Sequence, residues 1–240
     1  MITYIRDKFK KYFAEFTLFS VEVFILFGIF GGALIAFILI ARQVFAGNTR
    51  NFDQNAFLFI AGHVSNIHTS IMEFFTFLGT HTFLIPANLL LTAFFLFVKK
   101  RRWNSIKIPA VALSSLLLMF VLKLFFQRER PITPLLKAAK GFSFPSGHAL
   151  MSVTFYGLLI FIALQTVKQL WLKWAITVFG IALIMTIGLS RVYLRVHYAS
   201  DVLAGFCVGI VWLISSLWLL DKMEKFSNKK IAIKKELQDL

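Results

Sequence analysis

Three short stretches hold the side chains able to do chemistry: KLFFQRERP at 123–131, FPSGHA at 144–149 and SRVYLRVHYASD at 190–201. In the third, His197 and Asp201 are spaced i, i+4, so on the first turn of a helix the carboxylate can accept a hydrogen bond from one imidazole nitrogen. The other nitrogen is then free to attack. Arg191, at the end of the preceding apolar run, offers a bidentate fork to a phosphoryl group. In the first stretch, Lys123 and Arg130 stand seven residues apart. On a helix that spacing puts both on one stripe ~10.5 Å long, and Pro131 ends the helix. In the second, Pro145 and Ser146 suit a helix start, Gly147 opens the first free N–H groups to an oxyanion, and His148 follows within the first turn.

Taken singly, each stretch has an ordinary explanation: snorkelling cations, a capped helix, an interfacial ion pair. Taken jointly, they supply three fixed cations, hydroxyl and backbone donors, one oriented histidine and one free histidine. That is the equipment for gripping a tetrahedral oxyanion and passing it to a nucleophile.

The elements that must position these groups are membrane spans. The chain is 58% hydrophobic with 29 Phe among 240 residues and only 15% charged residues, and its mean hydropathy is +0.77. Its solvent is lipid. Crossing a bilayer takes ~20 apolar residues, and six segments qualify, at about 18–42, 69–98, 106–126, 147–166, 172–190 and 199–220. The second is interrupted by Gly79, His81 and Pro86, so it contains either a kink or a preceding interfacial helix. Residues 47–68 read as a loop with a short amphipathic piece, and 221–240 as a basic surface tail. The first apolar run, from Thr17 to Ala46, exceeds the ~7–15 residues of a secretory core and reads as a retained span. The expected fold is all-α, one domain over 1–240, with the motif core at 123–201.

Charge sets the sidedness. Of 26 Lys and Arg, 17 fall at 6–11, 99–107, 168–173 and 222–235, which places both termini on the cytoplasmic side. The other nine are Arg42, Arg50, Lys123, Arg128, Arg130, Lys137, Lys140, Arg191 and Arg195. Seven of these cluster after span three and between spans five and six, where insertion bias disfavours them. Six alternating spans put all three chemical stretches on that same outer face, a cationic mouth awaiting an anion. The formal charge of +15 belongs to these flanking clusters, where anionic phospholipids at the cytoplasmic face account for it and nucleic acid does not. The single cysteine, Cys207, lies in an apolar run and leaves no disulfide or cysteine cluster.

The spacings Lys123…Arg130-Pro131, Pro145-Ser146-Gly147-His148 and Ser190-Arg191…His197…Asp201 resemble the tripartite signature of the type-2 phosphatidic acid phosphatase superfamily, which includes vanadium haloperoxidases. The resemblance implies that His197 forms a phosphohistidine, that Asp201 orients it, and that His148 protonates the leaving group and then activates water. It also implies that Lys123, Arg130, Arg191, Ser146 and Gly147 hold the phosphoryl oxygens, with Ser190 as an extra donor. No metal or other cofactor is expected, because fixed cations supply the charge stabilisation. A metal on His197 and Asp201 is the lesser alternative, disfavoured by the surrounding arginines. The expected activity is hydrolysis of a lipid phosphate or diphosphate in a bacterial plasma membrane, with phosphatidylglycerophosphate, phosphatidic acid and undecaprenyl diphosphate all open as substrates. Phosphoryl transfer to another lipid and non-enzymatic lipid-phosphate binding or transport stand as alternatives.

Overall fold

The computed structural model describes the backbone of residues 2–132, 134–135 and 141–238, and side chains within 23–229 of these. Lys137, Lys140 and the terminal cations at 6–11 and 230–235 lie outside what is described at side-chain level. Eight α-helices follow one another among the described residues: α1 Ile2–Phe45, α2 Arg50–Ala61, α3 Asn66–Phe77, α4 His81–Ala93, α5 Arg102–Phe126, α6 Gly147–Thr166, α7 Leu170–Tyr193 and α8 Ala199–Gln238. A π-helical turn, Phe94–Val98, continues α4. The bundle is all-α, and among the described residues six helices are long and apolar enough to cross a membrane, at Val23–Phe45, His81–Val98, Arg102–Phe126, Gly147–Thr166, Leu170–Tyr193 and Ala199–Lys229.

The region before the third span departs from expectation in one respect and resolves an open choice in another. Residues 50–61, expected as loop with an amphipathic piece, form the complete three-turn helix α2. The long second apolar run divides in two: α3 is a separate helix, capped by the Ser65 hydroxyl accepting from His68 N at 3.2 Å, and the span begins only at His81. Thr80 and Gly79 fill the break, and a Cβ on Gly79 would come within 2.8 Å of Ile187 Cγ2. Small size at Gly79 therefore lets the α3–α4 corner seat against α7.

Helix α6 is the hub, packing on α5, α7 and α8, while α1 leans on α8, α3 on α7, and α2 on both α7 and α8. Two glycines make the α6–α8 contact close. A Cβ on Gly205 would stand 2.6 Å from the Ser146 carbonyl oxygen, and one on Gly209 would stand 2.8 Å from Val153 Cβ. This is small-residue packing at a four-residue interval, the usual means by which helices approach in lipid, where apolar burial gives little drive. Apolar side chains such as Phe24, Leu89, Phe125 and Phe179 face outward on the spans, as lipid requires.

At the end of α5 opposite the motifs, Lys107 is buried and pairs with Asp221, and with Glu224 at 2.8 Å. Lys123 is sixteen residues further along α5, ~24 Å of helix. The contact fixes the direction of α8: its Asp221 end lies beside the start of α5, and its first turn lies at the other end, with Lys123.

Candidate active site

Helix ends build the site. Helix α7 closes in a Schellman motif: Arg195 sits in the left-handed region (φ 53), its N–H bonds the Val192 carbonyl at 2.9 Å, and Val196 N–H bonds the Arg191 carbonyl at 3.2 Å. That reversal brings His197 back under Arg191, whose carbonyl also accepts from His197 N at 3.3 Å. Helix α8 starts two residues later. Asp201 lies in its first turn and reaches back to accept from Tyr198 N at 2.9 Å, the returning half of a capping box. Asp201 O also accepts from Ser146 N at 3.0 Å, which ties the starts of α8 and α6 together.

Two expectations about local geometry are corrected. Lys123 and Arg130 do not share a helical stripe, because α5 ends at Phe126. Gln127 adopts the left-handed conformation (φ 47) and caps α5 with its N–H on the Lys123 carbonyl at 3.0 Å. Beyond that cap Arg128 pairs with Asp53 and Asp201. Likewise His197 precedes α8 and is not on its first turn, so it meets Asp201 through the turn at 194–198 and not across a helix face.

The three stretches nevertheless converge. His197 is buried (1% exposed), with Nδ1 3.5 Å from Asp201 Oδ2 and 3.4 Å from Ser143 Oγ. Ser143 donates a short hydrogen bond to the same Oδ2. The second ring nitrogen, Nε2, lies 3.3 Å from Arg130 Nη1. Arg130 is itself fixed by donating to Gly141 O at 2.9 Å and Val196 O at 2.8 Å. Burial holds the His197 pKa down to about 4, against the opposing pull of Asp201, so the ring is neutral near pH 7. Burial likewise lowers the Arg130 pKa from its usual value, partly offset by Asp201.

The remaining expected residues are placed as follows. Lys123 Nζ donates to Phe142 O at 2.9 Å, which folds the 141–146 segment over the end of α5. Ser146 is the N-cap of α6, its hydroxyl accepting from Ala149 N at 3.5 Å. A Cβ on Gly147 would collide with Met119 Sδ, so close packing on α5 adds a steric reason for glycine to the expected access to backbone N–H groups. His148 lies in the first turn of α6, within electrostatic reach of Arg191, His197, Lys123 and Arg130, and its Nε2 is buried without a hydrogen-bond partner. Arg191 donates a short hydrogen bond from Nη1 to Thr76 Oγ1, while its Nε is buried and unpartnered. Ser190 differs from expectation: its hydroxyl proton goes to Ile187 O at 2.6 Å, inside its own helix.

Several contributors carry no sequence signal of comparable clarity. Arg128 bonds Asp201 Oδ1 at 2.6 Å and Asp53 Oδ2 at 2.9 Å, and it lies 4.1 Å over the Tyr198 ring. Asp53 on α2, Thr76 on α3, Ser143 and Ser200 complete the frame. The sequence signal available for them is Asp53 itself, a carboxylate within an otherwise amphipathic segment.

Residues 104–224 match the PAP2 superfamily, about half the chain and all three motifs, and the chain belongs to that family. It is an integral membrane phosphatase of the lipid branch. Over 161 residues it is 30% identical to phosphatidylglycerophosphatase B of Bacillus subtilis, covering 66% of this chain and 78% of that protein. Its fold matches the crystal structure of a transmembrane PAP2 type phosphatidylglycerolphosphate phosphatase from Bacillus subtilis with TM-score 0.73, at 24% identity, over 82% of this chain and 96% of the other. It also matches Aquifex aeolicus LpxE with TM-score 0.54, at 24% identity, over 68% and 93%. These two structural likenesses concern the fold.

Proposed function

We propose that the protein hydrolyses a lipid phosphate through a phosphohistidine on His197, at the extracytoplasmic face, without a metal ion. The observation that carries this reading is the polarity of the His197 ring, with Nδ1 toward the Asp201–Ser143 pair and Nε2 toward the Arg130 guanidinium. With the Nδ1 proton directed at Asp201, the Nε2 lone pair attacks phosphorus and the bond from phosphorus to the lipid oxygen breaks. Arg130, Arg191, Lys123 and the N–H groups at Gly147 and His148 hold the equatorial oxygens as charge builds on them. His148, entering the step as imidazolium because the bound phosphate's negative charge offsets the surrounding cations, gives its proton to the departing lipid alkoxide. It then takes one from the water that attacks the phosphohistidine, releasing inorganic phosphate and restoring both histidines. The outward placement of the site follows from the basic clusters at 99–107 and beyond 221, which favour the cytoplasm at the opposite end of the bundle.

The first substrate to test is phosphatidylglycerophosphate, the lipid for which the 30% identical relative is named. Phosphatidic acid and undecaprenyl diphosphate are the comparators. The protein, purified in detergent with a chelator present, is mixed with lipid labelled in its terminal phosphate and quenched in base, which preserves phosphohistidine. Label is expected on the parental chain and absent from His197→Ala, with unchanged turnover under chelation. Parental rates of phosphate release by His197→Ala overturn the mechanism. Label arriving on an added lipid alcohol in place of water identifies a transferase.

A further inference from the structure

We propose that Asp53 is a positioning residue that sets the net charge behind His197, acting through Arg128 on Asp201. The inference rests on His197 as the nucleophile. Asp53 is 2% exposed, although it belongs to a short helix outside the three motifs. Its Oδ2 accepts from Arg128 Nη2 at 2.9 Å and from Ser200 Oγ at 2.8 Å, and its Oδ1 accepts from Ser200 N at 2.9 Å. The other amino group of the same guanidinium, Nη1, donates to Asp201 Oδ1 at 2.6 Å and to Ser200 Oγ at 2.8 Å. Carboxylate, guanidinium and carboxylate thus form an unbroken chain ending on the group that faces His197 Nδ1.

The charges along that chain decide what it does. Asp201 paired with Arg128 alone is a neutral unit, and a neutral unit has little to offer an imidazole that turns positive as Nε2 bonds to phosphorus. Asp53 restores one net negative charge to the three-residue chain. It also occupies the far side of the guanidinium, so Asp201 is not drawn into a closed two-point pair with Arg128 and remains available to Nδ1. The two carboxylates are almost fully buried and the guanidinium side chain is 17% exposed, so solvent screens these charges only in part and one charge two groups away still acts on the imidazolium.

Asp53→Asn keeps the shape and removes the charge. Turnover is expected to fall about tenfold with KM changed less than about twofold, because the lost interaction develops only in the transition state. The decisive comparison is the pair Asp53→Asn/Arg128→Gln, in which Asp201 alone again leaves one net negative charge. It is expected to turn over at least about threefold faster than Asp53→Asn, a non-additivity that direct charge coupling produces. A role for Asp53 in merely fastening α2 predicts the reverse, since the pair breaks more contacts than the single change. Asp53→Ser, smaller and equally neutral, carries the same comparison if Asp53→Asn does not fold. Single-variant turnover within twofold of the parent, or a double variant no faster than the single, overturns the proposal. Failure of the underlying reading is separate: it shows as phosphate release by His197→Ala, whatever Asp53 does.

Discussion

Replacing Gly205 by Ala adds one methyl group where α8 crosses the start of α6, and the structure specifies what it meets. The new Cβ would lie 2.6 Å from the Ser146 carbonyl oxygen, 2.9 Å from Ala149 Cβ and 3.4 Å from Leu150 N. Carbon contacts are comfortable at ~3.5–4.0 Å, so the helices must part by about 1 Å. None of the opposing atoms is the flexible end of a side chain, so local yielding is small. Asp201 is one turn before Gly205, and its carbonyl holds Ser146 N at 3.0 Å, so the parting acts on the joint that sets Asp201 and His197 against His148. A misplacement of ~1 Å in a catalytic constellation costs about 100-fold in rate, and overpacking costs about 1–3 kcal/mol in stability. We therefore expect Gly205→Ala to fold, melt lower and lose about 100-fold in kcat, measured as initial phosphate release in detergent beside a thermal scan. Gly31→Ala is the control, because nothing lies within 4 Å of its added Cβ. Turnover by Gly205→Ala within about threefold of Gly31→Ala would refute the claim that this helix crossing sets the site geometry.

Stability should fall on acidification through His197. Its pKa drops from 6.5 unfolded to about 4 folded, so between these values the unfolded chain binds more protons and folding weakens as pH falls. The contribution is fully present above pH 6.5 and amounts to at most about 3 kcal/mol. Melting curves from pH 7.5 to 4.5 should be flatter for His197→Asn than for the parent, and equal slopes would contradict the burial argument. Lys107→Met should cost about 2 kcal/mol by stranding Asp221 and Glu224. It should leave kcat and KM unchanged, since Lys107 is at the far end of α5 from the site, and an equal loss of activity would show the two ends to be coupled.

The spans and the three motifs were legible in the sequence because each depends on short-range pattern: apolar length for the helices, and spacings of three to seven residues for Lys123, His148, His197 and Asp201. What stayed hidden depends on separations that no local pattern encodes. Asp53 meets Ser200 across 147 positions, and Arg191 meets Thr76 across 115. The early end of α5 at Phe126 was hidden for the same reason. Pro131 places the expected break at 130, whereas the left-handed cap at Gln127 and the pairing of Arg128 with Asp53 and Asp201 appear only in three dimensions. Gly205 and Gly209 were readable in principle as a small-residue interval in an apolar run, but only with a partner helix in view does that interval become a contact.

The recognisable half of the chain and the working site do not coincide. Residues 104–224 include every motif side chain, yet Asp53 and Thr76 come from the preceding half. A protein trimmed or grafted at that border would still satisfy any motif search while leaving Arg191 without its hydroxyl tether and Arg128 with only one of its two anions. Transplanting this chemistry into another scaffold thus means carrying the two short helices α2 and α3 along with the signature.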